Sequence, residues 1–111
     1  MDFIAEEQLD VLYPDGELVP VELRIGTPQR REDRNGWGCV AQAEGLRAEG
    51  RPREMYGLSS LQSLMIACCF LYRMLLIEVE QGAILRERDR PEEFSLDTLF
   101  IFTRNRDATD W

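Results

Sequence analysis

The side chains able to do chemistry in this chain are its three cysteines, its 13 arginines and its 21 acids, because it contains no histidine and no lysine. Those two absences remove His-based nucleophile activation, His metal ligation, Schiff-base chemistry and the phosphate-loop lysine within this chain. Cys68 and Cys69 are adjacent in an apolar run that reads as helix, where their side chains point about 100° apart and cannot pair. Three cysteines without histidine fall short of a four-ligand zinc site, and Cys39 is far away in sequence. Buried, inert thiols are the expectation, with no metal and no cofactor.

The arginines form two loop groups that mix with acids, Arg30, Arg31 and Arg34 in the first, Arg47, Arg51 and Arg53 in the second. Arg30, Arg31, Arg34, Arg51 and Arg53 would bind an anionic small ligand if their loops met at one end of a sheet. Gly36-Trp37-Gly38 is too short for a phosphate loop and leads into a strand, not a helix. Trp37 and Tyr56 adjoin turns, where an aromatic is either core or an anchor for a partner. Acids are abundant, but no carboxylate pair stands out by spacing. A non-catalytic protein is therefore expected.

One helix must organise these residues. Ser59 as N-cap with Gln62 three positions on makes a capping box, and Gly82 stands where a left-handed residue ends a helix. The pattern predicts a helix over about 59–82, with Glu78 and Glu80 near its carboxyl end, where the helix dipole disfavours negative charge. Winding at 100° per residue yields two apolar surfaces. The broad one carries Leu61, Leu64, Met65, Cys68, Cys69, Leu71, Tyr72, Leu75, Leu76 and Val79. The narrow one carries Ile66, Ala67, Phe70, Met74 and Ile77. The broad surface is assigned to a sheet. The stripe Ile66, Phe70, Met74 and Ile77 then needs another partner, either a second copy about a two-fold axis or the apolar run Phe94–Phe102. A membrane span is not expected, since the run from Leu64 to Ile77 is short for a bilayer that needs about 20 residues.

Strands precede the helix. Phe3–Tyr13 alternates loosely, Tyr13-Pro14-Asp15-Gly16 is a turn, and Leu18–Thr27 is the clearest half-buried strand. Its Pro20 implies an edge position or a late start to the ladder. Trp37–Leu46 would place Trp37, Cys39, Ala41 and Ala43 on one face, the small residues leaving room for the helix. Arg53–Tyr56 is a short strand, Ala83–Arg86 a further one, and Ser95 can cap a single helical turn. The fold class is α+β: an antiparallel sheet of about four to five strands packed against one long helix, in a single domain over 1–111 with a frayed end at 103–111.

Trp37-x-Cys39, Gly45-Leu46 and above all Tyr56-Gly57-Leu58-Ser59-Ser60-Leu61-Gln62-Ser63-Leu64 resemble a group of small bacterial domains of unknown function, over roughly Val19 to Leu85. The resemblance implies strands followed by one long helix and a bacterial origin, and carries no catalytic residue.

The opening MDFIAEEQLD lacks the basic and apolar regions of a secretory signal, and an odd number of cysteines fits reduced thiols, so a cytoplasmic location is expected. The formal net charge of −8 disfavours nucleic acid and suits a basic protein partner. The expectation is a cytoplasmic interaction domain, homodimeric, with an acidic immunity- or antitoxin-like inhibitor as its specific version and anionic-ligand binding as the alternative.

Overall fold

A computed structural model describes residues 2–100 of the chain. In order it contains β1 (Phe3–Leu12), β2 (Leu18–Gly26), β3 (Gln29–Arg31), β4 (Gly36–Glu44), β5 (Arg53–Gly57), α1 (Ser60–Glu80), β6 (Ile84–Glu87) and α2 (Leu96–Phe100). The six strands form one antiparallel sheet. Trp37 and Gly38 pair with β3 on one side and β5 on the other, while Ala41 pairs with β2 and β5. β2 and β3 therefore follow one another along the same edge of β4. The strands run β6–β1–β2/β3–β4–β5, an α+β fold with α1 across one face.

Local chemistry accounts for these elements. The Tyr13–Gly16 turn closes the β1–β2 hairpin, with the Gly16 N–H donating to the Tyr13 carbonyl at 2.9 Å. Pro20 sits two residues before the β2–β4 ladder begins at Glu22, which is the late start that a missing N–H favours. The polar connection after Pro28 holds a three-residue strand and a 3-10 turn over Glu32–Arg34, ended by Asn35 in the left-handed region. β6 returns after α1 to pair with β1, so the sheet is closed on that side by a strand distant in sequence.

Both ends of α1 form as the residue types require. The Gln62 N–H donates to Ser59 Oγ at 3.0 Å, and the Gln62 side chain reciprocates on the Leu58 N–H, one residue earlier than in the usual capping box. At the other end Gly82 takes φ +101°, and the Ala83 N–H donates to the Glu78 carbonyl at 2.9 Å.

The core lies between α1 and the sheet. Leu9, Val11, Val21, Cys39, Ala41 and Ala43 are all fully buried. α1 packs chiefly on β4 and β5, and its buried residues are Ser63, Ala67, Leu71, Leu75 and Glu78. This phase corrects the two-surface expectation. Leu61 and Met65, assigned to the broad buried surface, are 64% and 59% exposed, and Cys69 is exposed as well. Ala67, assigned to the narrow surface, is at the centre of the contact. The reason is steric: α1 lies on the Ala41–Ala43 strand, and only small side chains such as Ser63 and Ala67 let the backbones approach that closely.

α2 forms after Ser95, whose hydroxyl accepts from the Thr98 N–H at 3.1 Å. It packs on the Cys68–Tyr72 flank of α1, with Phe100 edge-on to Tyr72 at 5.5 Å. Ile101, Phe102 and the expected frayed end at 103–111 lie outside the described residues. By length and composition α1 is apolar enough to cross a membrane, more so than the Leu64–Ile77 run alone suggests.

Candidate functional site

The first candidate is the outward surface at the amino-terminal half of α1. Leu58, just before the N-cap, is 83% exposed, and Leu61 and Met65 follow it at helical spacing. Leu61, Met65, Ile66 and Cys69 border an open depression of about 450 Å³. From Met55 to Ile77 the only charged residue is Arg73, in a chain otherwise dense in acids. The expected stripe is divided by the fold. Phe70 and Met74 are half-buried against the core, Ile66 belongs to the outward depression, and Ile77 is exposed near the far end of the helix. Leu58, Leu61 and Met65 were not singled out from sequence as a surface. The signal available was the missing hydrophobic staple at Leu58, which leaves that side chain without an intrahelical partner.

The arginines divide into two groups, one at the start of β4 and one running along the connection from the end of β4 to Arg53, which opens β5 opposite Ala41. At the start of β4, Arg31 Nε meets Glu54 Oε2 at 2.5 Å across Gly38, whose lack of a side chain leaves room for the bridge. The Arg34 guanidinium lies 3.8 Å from the Tyr56 ring centre, and the Tyr56 hydroxyl donates to Glu54 Oε1 at 3.0 Å. Arg30 is engaged by the Gly36 carbonyl at 2.7 Å and by Asn35. Half-buried Trp37 is opposite Arg30 and Gly57 in the sheet. On the second connection Arg53 pairs with Glu49 at 2.7 Å, which holds the Glu49 carboxyl below its ordinary range. Arg51 stands on that same connection. The two groups do not converge, and Arg31 and Arg53 are each committed to a carboxylate of the chain itself.

A third site joins the β1–β2 turn, the loop after β4 and the last turns of α1. Tyr13, Pro14, Arg47, Ala48, Ile77, Glu78 and Gln81 line an open cavity of about 410 Å³. Glu78 is 4% exposed, and its Oε1 accepts the Ala48 N–H at 2.9 Å. The Tyr13 hydroxyl accepts the Arg47 N–H at 3.1 Å and lines the same cavity as Glu78. Burial pushes the Tyr13 phenol above its usual pKa, and the Glu78 charge pushes the same way. The Arg47 guanidinium stacks 3.9 Å from the Tyr13 ring centre and pairs with Asp15, at 2.9 Å, and with Glu17. Sequence reasoning marked Glu78 only as an acid at the unfavourable end of a helix.

The thiols are graded by burial. Cys39 is fully buried and donates to the Gly26 carbonyl at 3.2 Å, Cys68 is half-buried, and Cys69 is exposed. Burial raises the Cys39 and Cys68 pKa values, lowering their thiolate fraction. Among the described residues no three Cys, Asp or Glu side chains gather closely enough to hold a metal ion. Comparison with protein-family profiles, with curated proteins and with solved structures finds no match to the chain in any of the three.

Proposed function

We propose that this chain is a non-catalytic interaction domain whose first partner is a second copy of itself, docked through the amino-terminal half of α1. The observation that carries the reading is the contiguous exposure of Leu58, Leu61 and Met65 beside Ile66 and Cys69. A contiguous exposed apolar patch with polar surroundings is the kind of surface that marks a protein–protein contact. Charge argues for the second copy. Two chains of net charge −8 repel over most of their surfaces, and Met55–Ile77 is a stretch where they meet without carboxylate facing carboxylate. An isologous two-fold contact needs such a self-complementary patch. Arg73 within the helix and the seating of α1 on the sheet through Ser63, Ala67 and Leu71 favour a protein partner over a bilayer.

The test is molar mass by sedimentation or light scattering from low to high micromolar concentration, for the parent and for Leu61→Lys with Met65→Glu. A concentration-dependent dimer that becomes a folded monomer on substitution supports the reading. A parent that stays monomeric throughout refutes it. A basic protein partner, in the manner of an inhibitor masking a toxin, is the second reading. The Glu6, Glu22 and Glu44 carboxylates gathered around Arg24 on the helix-free face of the sheet favour it, and such binding would weaken steeply with salt.

A further inference from the structure

The cavity at the far end of α1 presents a physical contradiction that the interaction surface does not use. A carboxylate withdrawn from water needs a counter-charge or a full set of hydrogen bonds. Glu78 is 4% exposed, yet no arginine lies within ion-pair distance of it among the described residues. Its hydrogen-bond donor is neutral, the Ala48 N–H, and the Tyr13 phenol lines the same cavity. Arg47, which also lines the cavity, is already shared between Asp15 and Glu17. Glu78 also belongs to the last turn of α1, where the carbonyl dipoles add negative potential. With three carboxylates against one guanidinium around the mouth, field and burial both ask for a positive charge.

We infer that the cavity lined by Tyr13, Arg47, Ala48, Ile77, Glu78 and Gln81 binds a small organic ammonium ion, its N–H donors directed to the Glu78 carboxylate and its short aliphatic body against Pro14 and Ile77. The size suits this class: about 410 Å³ holds a compact amine and is open enough for one to enter. The walls combine the apolar surface of Pro14, Ala48 and Ile77 with the polar groups of Tyr13, Glu78, Gln81 and Arg47, the last already neutralised by Asp15 and Glu17. The chain has no lysine, so it has no side-chain ammonium of its own to fill the place. The site is separate from the surface around Leu61 and Met65, so either can fail without the other.

n-Butylammonium chloride titrated into the parent protein, followed by amide chemical shifts at constant ionic strength, tests this directly. The expected result is saturable binding with the largest shifts at Ala48, Glu78 and the Tyr13–Asp15 turn, and no saturable response to n-butanol or to sodium chloride. Glu78→Gln keeps an acceptor for the Ala48 N–H and removes the charge, and should weaken butylammonium binding at least tenfold. Tyr13→Phe, which retains the ring under Arg47, should weaken it less. Failure to saturate, equal response to n-butanol, or shifts centred on Glu6, Glu22 and Glu44 would overturn the inference. So would unchanged affinity in a folded Glu78→Gln protein. If that variant does not fold, the parent's shift map and the n-butanol comparison decide alone.

Discussion

Leu75 and Leu61 share one helix and one side chain and differ in what surrounds them, 0% against 64% exposed. Truncating each to alanine measures the phase of α1 against the sheet. For Leu75→Ala the lost transfer energy and the cavity left behind together cost about 2–5 kcal/mol. A domain of this size holds roughly 5–15 kcal/mol in all, so that loss is a large share of its stability. At about 4 °C per kcal/mol it lowers Tm by roughly 8–20 °C. Leu61→Ala leaves no internal cavity and should shift stability by less than about 0.5 kcal/mol in the monomer. Urea denaturation at low micromolar concentration, with m-values compared, reads both numbers. The same Leu61→Ala protein should also dissociate more readily at high concentration, because Leu61 is then an interface residue. Equal costs for the two truncations, or a larger cost at Leu61, would refute the placement of Ser63, Ala67, Leu71 and Leu75 against the sheet.

A thiol reagent should modify Cys69 first, Cys68 more slowly, and Cys39 only at the rate of global opening; mass spectrometry after timed quenching orders them, and Cys69 labelling should slow as protein concentration rises. Because the Cys39 and Cys68 pKa values are raised in the fold, the unfolded chain releases these protons first as pH increases. Their contribution to stability is therefore complete below the unfolded thiol pKa of about 8.5 and falls as pH rises through it, which urea midpoints from pH 7 to 10 will show. Asp10, 5% exposed, holds Arg88 at 3.0 Å and accepts the Asp89 N–H at 3.0 Å. Asp10→Ala should cost about 3 kcal/mol and, by hydrogen exchange, expose the β6 end before the rest of the sheet.

Much of the architecture was legible because it depends on neighbours in sequence. The Ser59 cap and Gly82 terminus, the Tyr13–Gly16 turn, the alternation through Val21, Leu23 and Ile25, and the Ser95 turn are each set by interactions within a few residues. Helical periodicity shows that α1 has more apolar surface than one partner needs, and that too survived. Which part of that surface meets the sheet was not readable, because it depends on how near two backbones come. That distance is fixed by Ala41 and Ala43 on one element and by Ser63 and Ala67 on another. Broad apolar width points to Leu61, Met65 and Cys69, whereas close packing selects the small residues instead. The same limit hid the Tyr13–Arg47–Glu78 cavity. Its residues are 34 and 31 positions apart along the chain, and only the hairpin turn, the loop after β4 and the helix end bring them together. Residue type and spacing determined the elements and their ends, and tertiary packing alone decided which apolar side chains and which carboxylate would be left facing a partner.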